Sequence, residues 1–136
     1  LPPEALRLEI TESLALEESD EVHGALAGIQ DLGVQLSVDD FGTGYSSFAS
    51  LTSMPWAEIK LDRSLTTQCL DVRGREMLRA IVAFGTAVDI EVIAEGIETR
   101  DQLDTLRALG CKYGQGYLLG RPAPISSIAR DLSRAA

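Results

Sequence analysis

Basic residues are scarce: 12 Lys+Arg stand against 21 Asp+Glu, a formal net charge of −9 with the one histidine neutral. A duplex-binding surface takes much of its affinity from a basic excess, so DNA or RNA duplex is not expected as a partner. Long hydrophobic runs are missing too. The longest uncharged apolar stretch, Ala80–Val88, is about half of the ~20 residues that a bilayer-spanning helix needs. No secretory signal pattern opens the chain, so a cytoplasmic domain without its own membrane segment is expected. Cysteine is nearly absent. Cys69 and Cys111 have neither metal-binding nor redox spacing and are expected to be buried free thiols in a reducing compartment. No internal repeat, low-complexity tract or linker divides the 136 residues, and 45% hydrophobic content suits one globular unit.

What the chain does contain is alternation. Five short segments place apolar and polar residues at period two: Leu6–Ile10, Val34–Asp39, Ala57–Asp62, Ile90–Glu95 and Tyr113–Leu118. The last is the weakest, because glycine lowers strand stability. Helical patterns fill residues 20–32, 46–53, 74–88 and 100–109, with a final one from about 125 to 134. Gly33 and Gly110 suit helix C-termini, and Thr99 with Gln102 has the spacing of a capping box. Strands alternating with helices point to βαβ units and a parallel sheet.

The strands have one apolar and one polar side. Leu6, Leu8 and Ile10 oppose Arg7 and Glu9; Val34, Leu36 and Val38 oppose Gln35, Ser37 and Asp39; Ala57, Ile59 and Leu61 oppose Glu58, Lys60 and Asp62. A doubly wound sheet is covered by helices on both faces and reads nearly all apolar. Parallel strands with one polar face fit a βα barrel, helices outside and chemistry inside. A complete barrel takes ~250 residues, roughly 31 per unit. The expected fold is therefore α/β, a partial (β/α)8 barrel made of the last five βα units.

Ligands bind βα sheets at the carboxyl ends of the strands. Those ends carry Glu9 and Glu12, Asp39 and Asp40, Lys60 and Asp62, Glu95 and Glu98, and Gln115. Two like unit charges about 4 Å apart repel by ~4 kcal/mol at an effective dielectric of about 20, so a carboxylate cluster takes up protons or binds cations. Oxygen ligands without Cys or His suit Mg²⁺, Mn²⁺ or Ca²⁺ rather than zinc. Asp39 and Asp40 are neighbours and would point to opposite faces in a regular strand, so the strand must break for both to reach one site. Phe41-Gly42-Thr43-Gly44 is the expected break. One aspartate bridging two metals and its neighbour holding one would make a clamp for attack of water on a phosphodiester. His23, alone on a helical face, has no matching partner.

Two decoys fall away. Gly42-Thr43-Gly44 with Asp62 mimics a dinucleotide fingerprint, but Ser47 stands where the third glycine belongs and two aspartates would repel a pyrophosphate. Asp40-Phe41-Gly42 spells a kinase metal motif without a kinase catalytic loop.

The ordered blocks Leu8-Glu9-Ile10-Thr11-Glu12-Ser13, Asp39-Asp40-Phe41-Gly42-Thr43-Gly44, Lys60-Leu61-Asp62-Arg63-Ser64, Ala94-Glu95-Gly96-Ile97-Glu98-Thr99 and Gln115-Gly116-Tyr117 resemble the EAL-type cyclic-di-GMP phosphodiesterase family. The resemblance implies a (β/α)8-type barrel that cleaves cyclic di-GMP to linear pGpG with Mg²⁺ or Mn²⁺. It implies metal ligands at Glu9, Asp39, Asp40 and Glu95, with Glu95 and Lys60 catalytic and Lys60 holding or helping to deprotonate the attacking water. Gln115 and Glu98 would meet substrate, and Glu12 would anchor the loop from Phe41 to Ser47, which in the family also bears on a dimer contact.

The family's signature Glu-Ala-Leu strand and an asparagine ligand belong upstream of these blocks; Glu4-Ala5-Leu6 spells the letters in the wrong place. Residues 1–136 thus look like the C-terminal part of a single domain, its two-metal site incomplete and its chain inactive alone. Such a piece should self-associate. Two other readings stay open: a non-catalytic cyclic-di-GMP receptor, and a half-barrel interaction module.

Overall fold

The structure is a computed structural model that describes residues 1–15, 17, 19–43, 51–52 and 54–125. Five strands, β1 (Arg7–Thr11), β2 (Gln35–Phe41), β3 (Glu58–Leu61), β4 (Glu91–Ala94) and β5 (Tyr113–Gly114), form one parallel sheet in the order β1-β2-β3-β4-β5. Strand order that follows chain order, with no reversal, is that of a barrel segment; a doubly wound sheet reverses at a switch point. The described helices are α1 (Glu12–Ala15), α2 (Asp20–Asp31), α3 (Arg63–Thr67), α4 (Val72–Ala87) and α5 (Arg100–Ala108), with 3₁₀ turns at Pro3–Ala5 and Gln68–Leu70.

The expected helix at 20–32 is α2, and the one at 100–109 is α5. Gly33 and Gly110 follow their ends with φ of 90° and 87°. The Thr99 capping box forms in full, each side chain meeting the other residue's backbone N–H. The helix expected from residue 74 starts two residues earlier, because the Asp71 carboxylate accepts from Arg73 N and Gly74 N. Two short helices, α1 and α3, lie where no helix was expected; one or two turns are too few to show a 3.6-residue period. The segment expected at 113–118 pairs only through Gly114, and backbone bonds from Leu119 N and Gly120 N to Gly116 O turn the chain away. The helices expected at 46–53 and 125–134 fall almost wholly outside the described residues.

The apolar sides of the strands form the core. Leu36, Val38, Ile59 and Leu61 are fully buried, packed in one cluster with Leu78, Ile81 and Leu106 of the helices. Burying each such side chain stabilises by roughly 1.5–3 kcal/mol. Leu6, just before β1, and Leu8 of β1 are about half exposed. Both cysteines are free and buried, and burial raises their thiol pKa values, as suits inert core residues. No described helix is long and apolar enough to cross a membrane.

Helix α3 starts at the site, so its cap matters. The Asp62 carboxylate accepts from Ser64 N at 2.8 Å, and hydrogen bonds from the Ser64 side chain first and its backbone N–H second hold the carboxyl below its ordinary range. Asp62→Ala should cost about 1 kcal/mol near neutral pH. A lowered folded pKa contributes stability above the unfolded value and loses it as pH falls through the folded one. Chemical denaturation should therefore show the two proteins converging below about pH 4; a pH-independent gap would refute the cap.

Candidate active site

The carboxyl ends of the strands meet on the polar face around one cation. Lys60 Nζ of β3 lies 2.9 Å from Glu9 Oε1 of β1, 3.0 Å from Asp39 Oδ1 of β2 and 2.8 Å from Glu95 Oε1 just past β4. Gln115, just past β5, donates from Nε2 to the same Glu95 oxygen. One residue from each of the five strands or its end thus joins a single layer. Gln115 is fixed by the backbone, its N–H on Ala94 O and its C=O taking Ile97 N–H. Burial alone would lower the Lys60 ammonium's pKa; hydrogen bonds to Glu95, Glu9 and Asp39 outweigh that and raise it above the ordinary value.

Asp40 reaches the same mouth by a different route from the one expected. The break lies inside β2, before the glycines: pairing with β3 shifts register between Val38 and Phe41, and Asp40 adopts φ 55°. Aspartate tolerates this left-handed conformation better than most residues, and bulges re-aim side chains beside active sites. Asp39, Asp40 and Glu95 each offer an oxygen, and the three oxygens lie within 4.8 Å of one another. Glu9 is outside that trio and half exposed; it joins the cluster through Lys60.

Buried Glu12, expected to anchor the loop from Phe41 to Ser47, accepts Gly42 N–H at 2.8 Å. Gly42 itself has φ 103°, and a Cβ there would lie 2.0 Å from Leu65 Cδ1, so only glycine fits between β2 and α3. Residues 44–47 of that loop are outside the described set. Glu98 stands apart from the trio and pairs with Arg63, Nη2 to Oε2 at 3.1 Å. With Glu95, Gln115, Tyr117 and Arg121 they line an open cleft of about 890 Å³ beside the cluster. The Arg121 guanidinium sits 4.2 Å from the centre of the Tyr117 ring. Arg63, Tyr117 and Arg121 had no part in the expected site. All three follow strand ends, where parity no longer says which way a side chain points.

The donor set fits a hard divalent cation. The trio offers three carboxylate oxygens and no nitrogen or sulfur, the donor type that Mg²⁺ and Mn²⁺ prefer, and Asp39 Oδ1 has Lys60 Nζ at 3.0 Å as its partner. Asp39, Asp40 and Glu95, with Glu9 adjoining, are the residues that would hold such an ion.

The family model described as EAL domain matches residues 1–122. The chain is 43% identical over 124 residues to the oxygen sensor protein DosP of Escherichia coli K12, covering 90% of this chain and 16% of that protein. It is 41% identical over 134 residues to MucR of Pseudomonas aeruginosa, a bifunctional diguanylate cyclase/cyclic di-GMP phosphodiesterase, covering 98% of this chain and 20% of MucR. The solved MucR phosphodiesterase in complex with c-di-GMP superposes with a TM-score of 0.86 at 41% identity, over 94% of this chain and 52% of that one. Klebsiella pneumoniae BlrP1, solved with manganese and cyclic di-GMP, gives a TM-score of 0.83 at 30% identity, over 90% of this chain and 32% of that chain. The five-stranded sheet is part of the barrel of such domains, and the chain belongs to the EAL domain family.

Proposed function

We propose that residues 1–136 supply the C-terminal part of a cyclic-di-GMP phosphodiesterase domain that uses Mg²⁺ or Mn²⁺. The observation that carries the reading is the convergence of Asp39, Asp40 and Glu95 on one point, beside Lys60 and Gln115. Similarity to MucR and BlrP1, each solved with the cyclic dinucleotide, supports the substrate. The reaction adds water to one phosphorus and breaks its bond to the 3′ oxygen, leaving linear pGpG. Divalent ions at such a site activate water and neutralise phosphoryl charge.

The chain's own residues then have separate tasks. Glu9, Asp39, Asp40 and Glu95 hold the ions. Lys60, an ammonium among three carboxylates, donates hydrogen bonds and orients water at the strand ends. Gln115 steadies Glu95 and faces the cleft with Glu98, where substrate lies. Glu12 keeps the turn at Gly42 in place below Asp40.

Two assays test this reading. A complete domain carrying these residues should hydrolyse cyclic di-GMP with Mn²⁺ and stop in excess EDTA; full turnover in EDTA would overturn the metal claim. The 136-residue chain alone should show no useful rate and should self-associate through the open edge of β1, where Leu6 and Leu8 are exposed. Monomeric chain with full activity would refute the view that it is part of the domain.

A further inference from the structure

The polar face carries a second charged layer, nearer the strand N-termini, that the proposed chemistry does not use. Arg7 of β1 is its centre. Arg7 Nη1 pairs with Glu58 of β3 and lies 3.9 Å from Glu91 of β4, while Nε and Nη2 donate to Gln35 Oε1 of β2 at 3.2 and 2.7 Å. On β5 the Tyr113 hydroxyl hydrogen-bonds to Glu91. Each of the five strands again contributes one residue. Each member also precedes the Lys60-layer member of its own strand by two or four positions, as Arg7 precedes Glu9 and Glu58 precedes Lys60. Even offsets keep both layers on one face.

The two layers are complementary in sign. Strand β1 reads cation then anion at positions 7 and 9; β3 reads anion then cation at 58 and 60. Arg7–Glu58 and Glu9–Lys60 both link β1 to β3, and both step over the intervening β2. A two-residue slip of β1 would set Glu9 against Glu58, or Arg7 against Lys60, like against like. A one-residue slip would turn the set to the opposite face. Glu58 is fixed: its side chain is 3% exposed, and β3 pairs on both sides at that residue, with Ser37 and with Glu91. Glu9 is less enclosed, its side chain half exposed.

We propose that Arg7 and Glu58 are positioning residues for the site: their ion pair sets the distance and register of β1 against β3 that allow Glu9 to reach Lys60. This rests on reading the Lys60 layer as the site. Its test uses neither metal nor nucleotide, so it fails or succeeds apart from the hydrolysis assay. In the full chain, the ¹⁵N signal of the Lys60 ammonium should show couplings across hydrogen bonds to the Glu9 and Glu95 carboxylates. Glu58→Gln keeps shape and removes charge; it should abolish the Glu9 coupling and keep the Glu95 one. Arg7→Met should do the same from a more exposed position, and covers the case in which Glu58→Gln fails to fold. Arg7→Lys, which keeps the charge, should retain the Glu9 coupling. A purely stabilising role would lower the unfolding midpoint in Arg7→Met and leave both couplings intact. That result, in folded protein, would overturn the proposal.

Discussion

Asparagine at position 40 is expected to remove nearly all metal-dependent turnover of a domain carrying these residues while leaving its fold in place. Asp40 is exposed and contributes one of three clustered carboxylate oxygens. An amide has nearly the shape of the carboxylate but no charge, and is a poor ligand for a hard divalent ion. Loss of outer-shell partners alone typically costs 10–100-fold at metal sites, so loss of a ligand should cost roughly a hundredfold or more. Stability should change little, because Asn, like Asp, visits the left-handed region that Asp40 occupies at φ 55°. Asp40→Ala separates the two effects, adding a backbone penalty of about 1–2 kcal/mol because alanine disfavours that conformation. The measurements are Mn²⁺-dependent hydrolysis and thermal unfolding of both variants. Wild-type turnover in Asp40→Asn would remove Asp40 from the ligand set.

The same residue marks the limit of what period-two reasoning can read. Parity puts the charged residues on one face: Glu9, Asp39, Lys60 and Glu95 alternate with core residues, and Lys60 lies within ion-pair distance of the other three. At Asp39-Asp40 parity forbids both from facing the site, so a break was foreseeable. Its position was not. The register shift and the positive φ depend on how β2 pairs with β3, a contact between segments some twenty residues apart. Arg7 and Glu58 illustrate a different gap. Their side of the sheet was legible, but their partnership needs the three-dimensional step across β2. Arg63, Tyr117 and Arg121 lie beyond strand ends, where orientation comes from capping and turns, and no periodicity identified the cleft that they help to line.

Lys60→Met is expected to lower both turnover and metal-free stability, and added Mn²⁺ should recover only the second. The ammonium is 9% exposed and within 3.0 Å of three carboxylates, so methionine fills its volume and leaves the acids uncompensated. Removing one partner of a buried ion pair typically costs 3–5 kcal/mol; with Glu9 half exposed to water, about 3 kcal/mol is the expected loss. A divalent ion held by Asp39, Asp40 and Glu95 would neutralise much of that charge. Mn²⁺ should therefore raise the unfolding midpoint of the variant more than that of the wild type. Turnover should stay low with metal bound, because no donor would remain at the position from which Lys60 is proposed to orient water. The competing account makes Lys60 a structural tie only. On that account Mn²⁺-loaded Lys60→Met would regain both stability and wild-type rate, an outcome that would return the task of orienting water to Gln115 or to the ions themselves.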